Sequence, residues 1–166
     1  MISVDHVRLM ARYNAWQNRS LYTAADALDD AERRKARGAF FGSIHGTLAH
    51  VMWGDRMWMG RFAGTEPPKV GIRESPRLIE DWAELKQQRA AFDETIQLWA
   101  QGLDPAWLQG SLTWFSGAIG REMTKARWHL VTHFFNHQTH HRGQVHAMLT
   151  ACGARPEDTD LMLLET

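Results

Sequence analysis

The sequence predicts an all-α protein, a four-helix bundle with a long crossover connection, formed by residues 1–166 as a single domain. Three observations support this prediction. Four long segments carry apolar residues at mixed three- and four-residue spacing, which is typical of amphipathic helices. One wide connection separates two of these segments, as in several bundle topologies. A chain of 166 residues also buries roughly two thirds of its unfolded surface, so it folds without disulfides.

The first two helices are predicted from their start and stop signals. Residues 4–28 form helix one, and Ser3 precedes them as an N-cap. Helix two begins after Ser43 and continues to Phe62, where a glycine and a pair of prolines follow. We therefore expect a break between helix two and the next helical segment.

Helix three is predicted to begin at Ser75-Pro76, because serine favours the N-cap and proline favours the first helical position. Its apolar residues continue to Gly102. Residues 110–120 contain three glycines around a short apolar run, which indicates an extended or hairpin-like segment. This segment is too short to build a large sheet.

The last long helix is predicted from about Thr124 to Cys152, where Gly153 and a nearby proline stop it. The tail from residue 156 to residue 166 is expected to form one short helical turn or to cross back over the bundle. The chain contains no internal repeat and no low-complexity segment.

The balance of charges excludes several classes of function. The chain carries 19 basic and 19 acidic side chains, so it offers no basic surface for nucleic acid or an anionic membrane. No stretch approaches the length of an apolar membrane span, and the amino terminus lacks the pattern of a signal peptide. We therefore expect a soluble, cytoplasmic protein with no nucleic-acid or membrane partner.

Helix two is apolar almost all round, which predicts a homodimer. One apolar stripe contains Leu48 and Trp58, and a second contains Trp53 together with His50. A helix with two apolar stripes needs cover on both sides, and a single four-helix core covers only one. We expect Trp53 and Trp58 to anchor the contact with a second copy of the chain.

Histidines are concentrated in the last helix. His137 and His141 stand four residues apart, so both side chains project from one helix face and can hold a single metal ion. His129 and His133 extend the same row upstream. This spacing predicts a metal-binding pair.

A third ligand is needed from another part of the chain, since catalytic sites of this type use three protein ligands and keep one position open. The candidates are His6, His45 and His50, and spacing alone does not choose between His45 and His50 on helix two. Imidazole ligands suit zinc, nickel, copper or iron(II).

Four sequence segments resemble the DinB family, the small metal-binding bundles also described as DinB/YfiT-like. The resemblance covers nearly the whole chain, and its most specific part is His-x-x-His-His-Arg-Gly-Gln in the last helix. The four segments are Arg12-Tyr13-Asn14 with Trp16 and Asn18, residues 42–50 with Asp55 and Trp58, residues 136–144, and Thr159-Asp160.

The resemblance implies a specific metal site and a fold. In the family, one histidine of helix two and an i, i+4 pair of the last helix hold the metal, and the matching positions here are His50, His137 and His141. The family also implies an antiparallel bundle, frequent homodimers, and a divalent metal that is most often zinc or nickel, with iron or manganese as alternatives.

Two hypotheses for the function follow. The first is a metal-dependent enzyme, a transferase that uses a low-molecular-weight thiol as some relatives do, or a hydrolase. The second is a non-catalytic, stress-related or scaffold protein in which the metal only fastens two helices. The number of protein ligands distinguishes them, because a fourth ligand closes the site to chemistry.

Side chains near the three histidines carry further expectations. His133 either lines the site or is an interior, hydrogen-bonded histidine. His140 and Arg142 are expected at the helix surface or an interface. Gln144 lies near the helix face that carries His137 and His141, where it could bind a group that itself contacts one of these histidines.

Two more positions stand out near these helices. Gly143 is expected to mark a close approach of another helix, because glycine costs about 1 kcal/mol inside a helix. Asp55 is the acidic residue within reach of the apolar surface of helix two, and an ion pair with an arginine such as Arg12 or Arg142 is its simplest role.

Overall fold

The protein is described from a computed structural model, which covers residues 1–117 and 119–165. Within these residues the chain is mostly helical, with one two-stranded antiparallel hairpin. The helices are α1 Val4–Asp26, α2 Asp30–Arg34, α3 Ile44–Ala63, α4 Trp82–Gln101, α5 Pro105–Gln109 and α6 Arg127–Ala151, and the strands are β1 Ser111–Ser116 and β2 Arg121–Ala126.

The four long helices pack side by side. Helix α1 contacts α4 and α6, and α3 contacts α6 and, less extensively, α4. The connection from α3 to α4, residues 64–81, packs against α3 through a 3₁₀ turn at Ser75–Arg77. The α3–α6 contact brings one histidine of α3, His50, next to His137 and His141 of α6.

The predicted N-caps of the first two long helices are confirmed. The Ser3 hydroxyl accepts a hydrogen bond from the His6 backbone N–H at 3.2 Å, and the Ser43 hydroxyl accepts one from the Gly46 N–H at 3.0 Å. Helix α3 ends at Gly64, whose φ of +71° is the left-handed conformation that glycine adopts without strain.

The predicted start of helix three is wrong. Ser75-Pro76 opens only the 3₁₀ turn, and α4 begins at Trp82. The Asp81 carboxylate accepts a hydrogen bond from the Glu84 backbone N–H at 2.7 Å, so Asp81 is the N-cap of α4. The Ser-Pro pair lies at the start of a different, shorter turn seven residues upstream of Trp82.

The hairpin also shifts the start of the last helix. The segment predicted to be extended forms β1, and it pairs with β2 in the register Ser111 opposite Ala126 to Ser116 opposite Arg121. Thr124 therefore lies in a strand, and α6 begins at Arg127, three residues later than predicted. Ala118, within the predicted hairpin-like segment, lies outside the described residues.

Helix α3 is covered by its own chain over its first half. Residues 44–52 are all buried, on every side of the helix, because α6 and the connection from residue 64 to residue 81 both pack against α3. The premise that a second copy must cover one stripe of α3 is therefore wrong for this half. Trp53 and Trp58 further along are half-buried.

The tail crosses back over α1, and it also contains a 3₁₀ turn at Leu161–Leu163. The Tyr13 hydroxyl donates to the Thr159 carbonyl at 2.6 Å, and the Gln17 side chain donates to the Asp158 carbonyl at 2.9 Å. Both expected features of the tail are therefore present. Thr166 lies outside the described residues.

A polar network lies in the interior between the four long helices. Arg89 of α4 contacts Asp55 of α3 at 2.7 Å and Asp93 of its own helix at 2.8 Å. Asp93 accepts a hydrogen bond from Asn18 of α1, and Asp55 accepts one from Gln138 of α6. One network thus joins all four long helices through buried side chains.

None of the helices in the described residues has the length and the apolar character needed to cross a membrane. The longest one, α6, is a continuous helix, but histidine, asparagine and glutamine residues are distributed along its whole length, so it has no long apolar stretch. Among these polar residues, Gln138 belongs to the interior network, and His137 and His141 lie next to each other on the side that faces α3.

Candidate metal centre

Three histidines from two helices meet where α3 packs against α6. His50 lies on α3, and His137 and His141 lie one turn apart on α6. One nitrogen atom from each ring lies within 4.8 Å of the other two, and His50 Nε2 is 3.1 Å from His137 Nε2. Such a group could hold a metal ion.

The interior keeps these rings uncharged. Burial, with repulsion from the neighbouring His137 and His141 rings as a smaller cause, lowers the pKa of His50 to about 3. Burial likewise lowers the pKa of His137 to about 3, with His141 adding to the effect. Both rings are therefore neutral near pH 7, which is the form that binds metal.

The Nδ1 atoms of His50 and His141 each have a hydrogen-bond partner. His50 Nδ1 lies 2.8 Å from the Ser75 hydroxyl, and His141 Nδ1 lies 2.8 Å from Gln144 Oε1. In proteins, metal-bound histidines usually use their second nitrogen in this way, and the contact fixes the direction of the ring. The residues present therefore fit a divalent transition metal. Gln144, which the sequence places near this face with a partner beyond the three histidines, contacts His141 directly.

Aromatic side chains flank the group. The Phe41 ring is stacked on His50, with 3.6 Å between the ring centroids and an angle of 20° between the planes. Phe41 also lies edge-on to His141 at 5.4 Å, and Trp53 stacks on His50 at 5.7 Å. His50 and His141 are only 1 % and 7 % exposed, so water reaches little of either ring.

The group contains three potential ligands and no more. Within residues 1–117 and 119–165, no further histidine, cysteine, aspartate or glutamate joins it. An arrangement of three histidines leaves a coordination position for a small molecule, which is the feature that separates catalytic from structural zinc sites.

The competing candidates for the third ligand lie elsewhere. His45 is buried, and its Nε2 is 2.9 Å from the Ile79 carbonyl, so this ring ties the connection before α4 to α3. His6 is exposed in the first turn of α1. Of the three candidates on other helices, the structure brings only His50 to the α6 pair.

Two neighbouring histidines remain outside the group. His133 is exposed. Its ring centroid is 6.1 Å from that of His137, and it packs edge-on against Trp58 with 5.3 Å between the centroids. It lies beside the site and is not the interior histidine that the sequence also allowed. His140 is exposed on the helix surface, as expected.

The expectation that Arg142 lies at the surface is wrong. Arg142 is 5 % exposed and its guanidinium donates to Asn14 Oδ1, so it belongs to the interior. Asp55 does form an ion pair with an arginine, as expected, but its partner is Arg89 and neither of the two arginines named as examples. Helix α6 packs against both α1 and α3, and this double contact buries a wider arc than one stripe.

The expectation about Gly143 is also wrong. A side-chain carbon placed on Gly143 meets no atom within 4 Å, and the residue is exposed. The close approach occurs at Gly54 instead, where such a carbon would lie 2.7 Å from His137 Cε1. Gly54 thus gives the His137 ring its space against α3.

We expect Gly54→Ala to weaken metal binding although all three histidines remain. The added methyl group overlaps the position of the His137 ring, which must turn away from His50. Elemental analysis of the purified variant, with zinc titration, measures the loss. Gly143→Ala is the matched control, because it should retain metal and gain about 1 kcal/mol of stability from helix propensity. Wild-type zinc affinity in Gly54→Ala would contradict the role given to this glycine.

Three residues of the site were not found from the sequence. Phe41, Ser75 and Gly54 contact the histidines from 9, 25 and 83 positions away in the chain. Ser75 carried a capping signal instead, and Phe41 lies in a segment without a periodic pattern. The usable signal was a glycine inside a long helix, which costs stability relative to alanine, but spacing does not choose among the glycines that meet this description, Gly46, Gly54, Gly60 and Gly143.

The fold and site define a class, that of helical proteins with a three-histidine group between two long helices. The family model described as "DinB family" matches residues 3–166, so the chain belongs to the DinB family. A curated relative, "Protein DinB" of Bacillus subtilis (strain 168), is 26% identical in an alignment 172 positions long, and this alignment covers 98% of this chain and 96% of the relative.

Proposed function

We propose that this chain is a single-domain four-helix bundle in which His50, His137 and His141 bind one divalent transition metal ion. The segment from residue 64 to residue 81 would be its long crossover. The observation that supports this proposal is that three imidazoles from two helices, each with a pKa lowered by burial, converge without a fourth protein ligand among the described residues. Zinc or nickel suits this donor set best, with iron or manganese as alternatives.

We further propose that the site serves a transferase reaction with a low-molecular-weight thiol. When bound, the ion would supply a positive charge that lowers the pKa of a thiol toward neutrality. Thiolates are soft ligands that suit zinc-like ions. Phe41 packs on His50 and His141, and the burial of these two rings limits the access of water to the histidine group. His50, His137 and His141 would hold the ion in place.

The alternative is a non-catalytic, stress-related or scaffold protein. One observation favours it: the three histidines lie across the α3–α6 contact, so a bound ion would fasten these helices together. The absence of a fourth protein ligand among the described residues keeps the enzyme possible, and turnover then distinguishes the two proposals.

The zinc-loaded and nickel-loaded protein should conjugate a chloronitrobenzene electrophile with at least one of glutathione, bacillithiol and mycothiol. In this reaction the sulfur forms a bond to the ring carbon, chloride leaves, and the thiol proton passes to the buffer. Absorbance of the thioether measures the rate, and His137→Ala is the blank. Rates equal to the blank for all three thiols, with no metal-dependent hydrolysis of simple esters, would favour the scaffold.

The homodimer remains a proposal. Its support is now the exposed apolar surface outside the first half of α3, which includes Phe40 at 84 % and Phe115 at 67 % exposure. The half-buried Trp53 and Trp58 would lie at the edge of such a contact. Light scattering would register it as a particle of twice 19.0 kDa.

A further inference from the structure

We infer that Ser75 is a positioning residue that holds His50 in the tautomer whose Nε2 faces the metal centre. The tautomer itself is argued from hydrogen bonds alone, whereas its effect on metal binding rests on the proposed function. Ser75 belongs to the connection between α3 and α4, and its side chain is fully buried. Nothing in the sequence spacing assigns it to the site.

The tautomer follows from counting hydrogen atoms. A serine hydroxyl has one hydrogen to donate. The Ser75 hydroxyl lies 2.7 Å from the Ile72 carbonyl, which can only accept, so the hydroxyl hydrogen is used there. The same oxygen lies 2.8 Å from His50 Nδ1 and must accept from it. His50 Nδ1 therefore carries the ring's hydrogen.

The other nitrogen of His50 is consequently free. A neutral imidazole has one N–H, so a hydrogen on Nδ1 leaves a lone pair on Nε2. His50 Nε2 is the atom that lies 3.1 Å from His137 Nε2 in the histidine group. Ser75 thus selects the nitrogen that a metal ion needs.

The connection that carries Ser75 is itself fixed to α3. Its Ile79 carbonyl lies 2.9 Å from His45 Nε2, five residues before His50 on the same helix. The Ser75 backbone N–H also donates to the Ile72 carbonyl at 3.3 Å. Two histidines of α3 therefore hold the connection at two points, and Ser75 has little freedom to leave His50.

The test compares three variants with the wild type. Ser75→Ala removes the acceptor and should weaken zinc binding by roughly 10- to 100-fold, the range found when a partner of a metal-bound histidine is lost. Ser75→Thr keeps a hydroxyl and should recover most of the affinity. Ser20→Ala removes another buried serine hydroxyl, which lies on α1 and accepts from the Glu157 N–H, and should leave zinc affinity unchanged.

Zinc affinity is measured by competition with a chromophoric chelator, and circular dichroism checks that each variant is folded. A second readout uses the metal-free wild type, in which nitrogen NMR should show the His50 hydrogen on Nδ1. A His50 hydrogen found on Nε2, or wild-type zinc affinity in a folded Ser75→Ala, would overturn the inference. A wild type that binds no zinc would instead refute the proposed function, and the NMR result would still decide the tautomer.

Discussion

Replacement of His137 by alanine should reduce the metal content of the purified protein from about one ion per chain to near zero. The three rings form a near-equal triangle, with centroid distances of 5.1 Å from His50 to His137, 4.7 Å from His50 to His141 and 4.6 Å from His137 to His141, and His137 Nε2 is 3.1 Å from His50 Nε2. Loss of His137 leaves two imidazoles, which is fewer than zinc sites in proteins use. His141→Ala and His50→Ala should have the same result, measured by elemental analysis after dialysis.

Two histidine variants provide matched controls for this loss. His129→Ala changes an exposed residue on the same helix and in the same four-residue row, and it should retain the metal. His45→Ala should also retain it, because that ring is hydrogen-bonded to the Ile79 carbonyl. Full metal content in His137→Ala and His141→Ala would end the assignment. Loss in His45→Ala with retention in His50→Ala would mean that the wrong histidine of α3 has been chosen.

Arg89→Met should destabilise the fold by about 3–5 kcal/mol, the usual cost of removing one partner from a buried ion pair. Arg89 is 2 % exposed and contacts Asp55 and Asp93. Burial alone would lower the pKa of Arg89, but Asp93 and Asp55 raise it above its usual value, so the guanidinium stays charged. Methionine fills the space and leaves two carboxylates without their cation.

Urea unfolding at neutral pH measures this change, and Lys86→Met is its control. Lys86 lies one turn earlier on α4 and pairs with Asp26 at 2.7 Å in a partly exposed ion pair, which should be worth less than about 1 kcal/mol. Combining Arg89→Met with Asp93→Asn should recover part of the loss, because one stranded charge is removed. Equal effects of Arg89→Met and Lys86→Met would show that the interior network does not stabilise the bundle.

The helix boundaries were predictable from the sequence where a single capping signal determines the start of the helix. Ser3 and Ser43 cap their helices as expected, because capping depends on residues within one turn. The start of α4 was missed because two signals compete there, Ser75-Pro76 and the capping aspartate Asp81. The sequence offered no measure of which signal begins the longer helix.

The site was predictable in part for a similar reason. The spacing of His137 and His141 is a property of one helix, so it indicated the pair directly. The choice of His50 over His45 depends on how α3 is rotated against α6, and only the family resemblance supplied it. Arg142 was misplaced because α6 buries two faces, toward α1 and toward α3. Ser75 depends on the path of the connection between α3 and α4, which spacing does not specify.

A crystal structure of the zinc-loaded protein, with anomalous diffraction at the zinc edge, tests the central claim most directly. We predict one anomalous peak per chain, bonded to the Nε2 atoms of His50, His137 and His141, with no fourth protein side chain on the ion. A peak at other residues, or no peak at saturating zinc, would contradict the metal site. A fourth protein ligand on the same ion would contradict the open position on which the proposed chemistry depends.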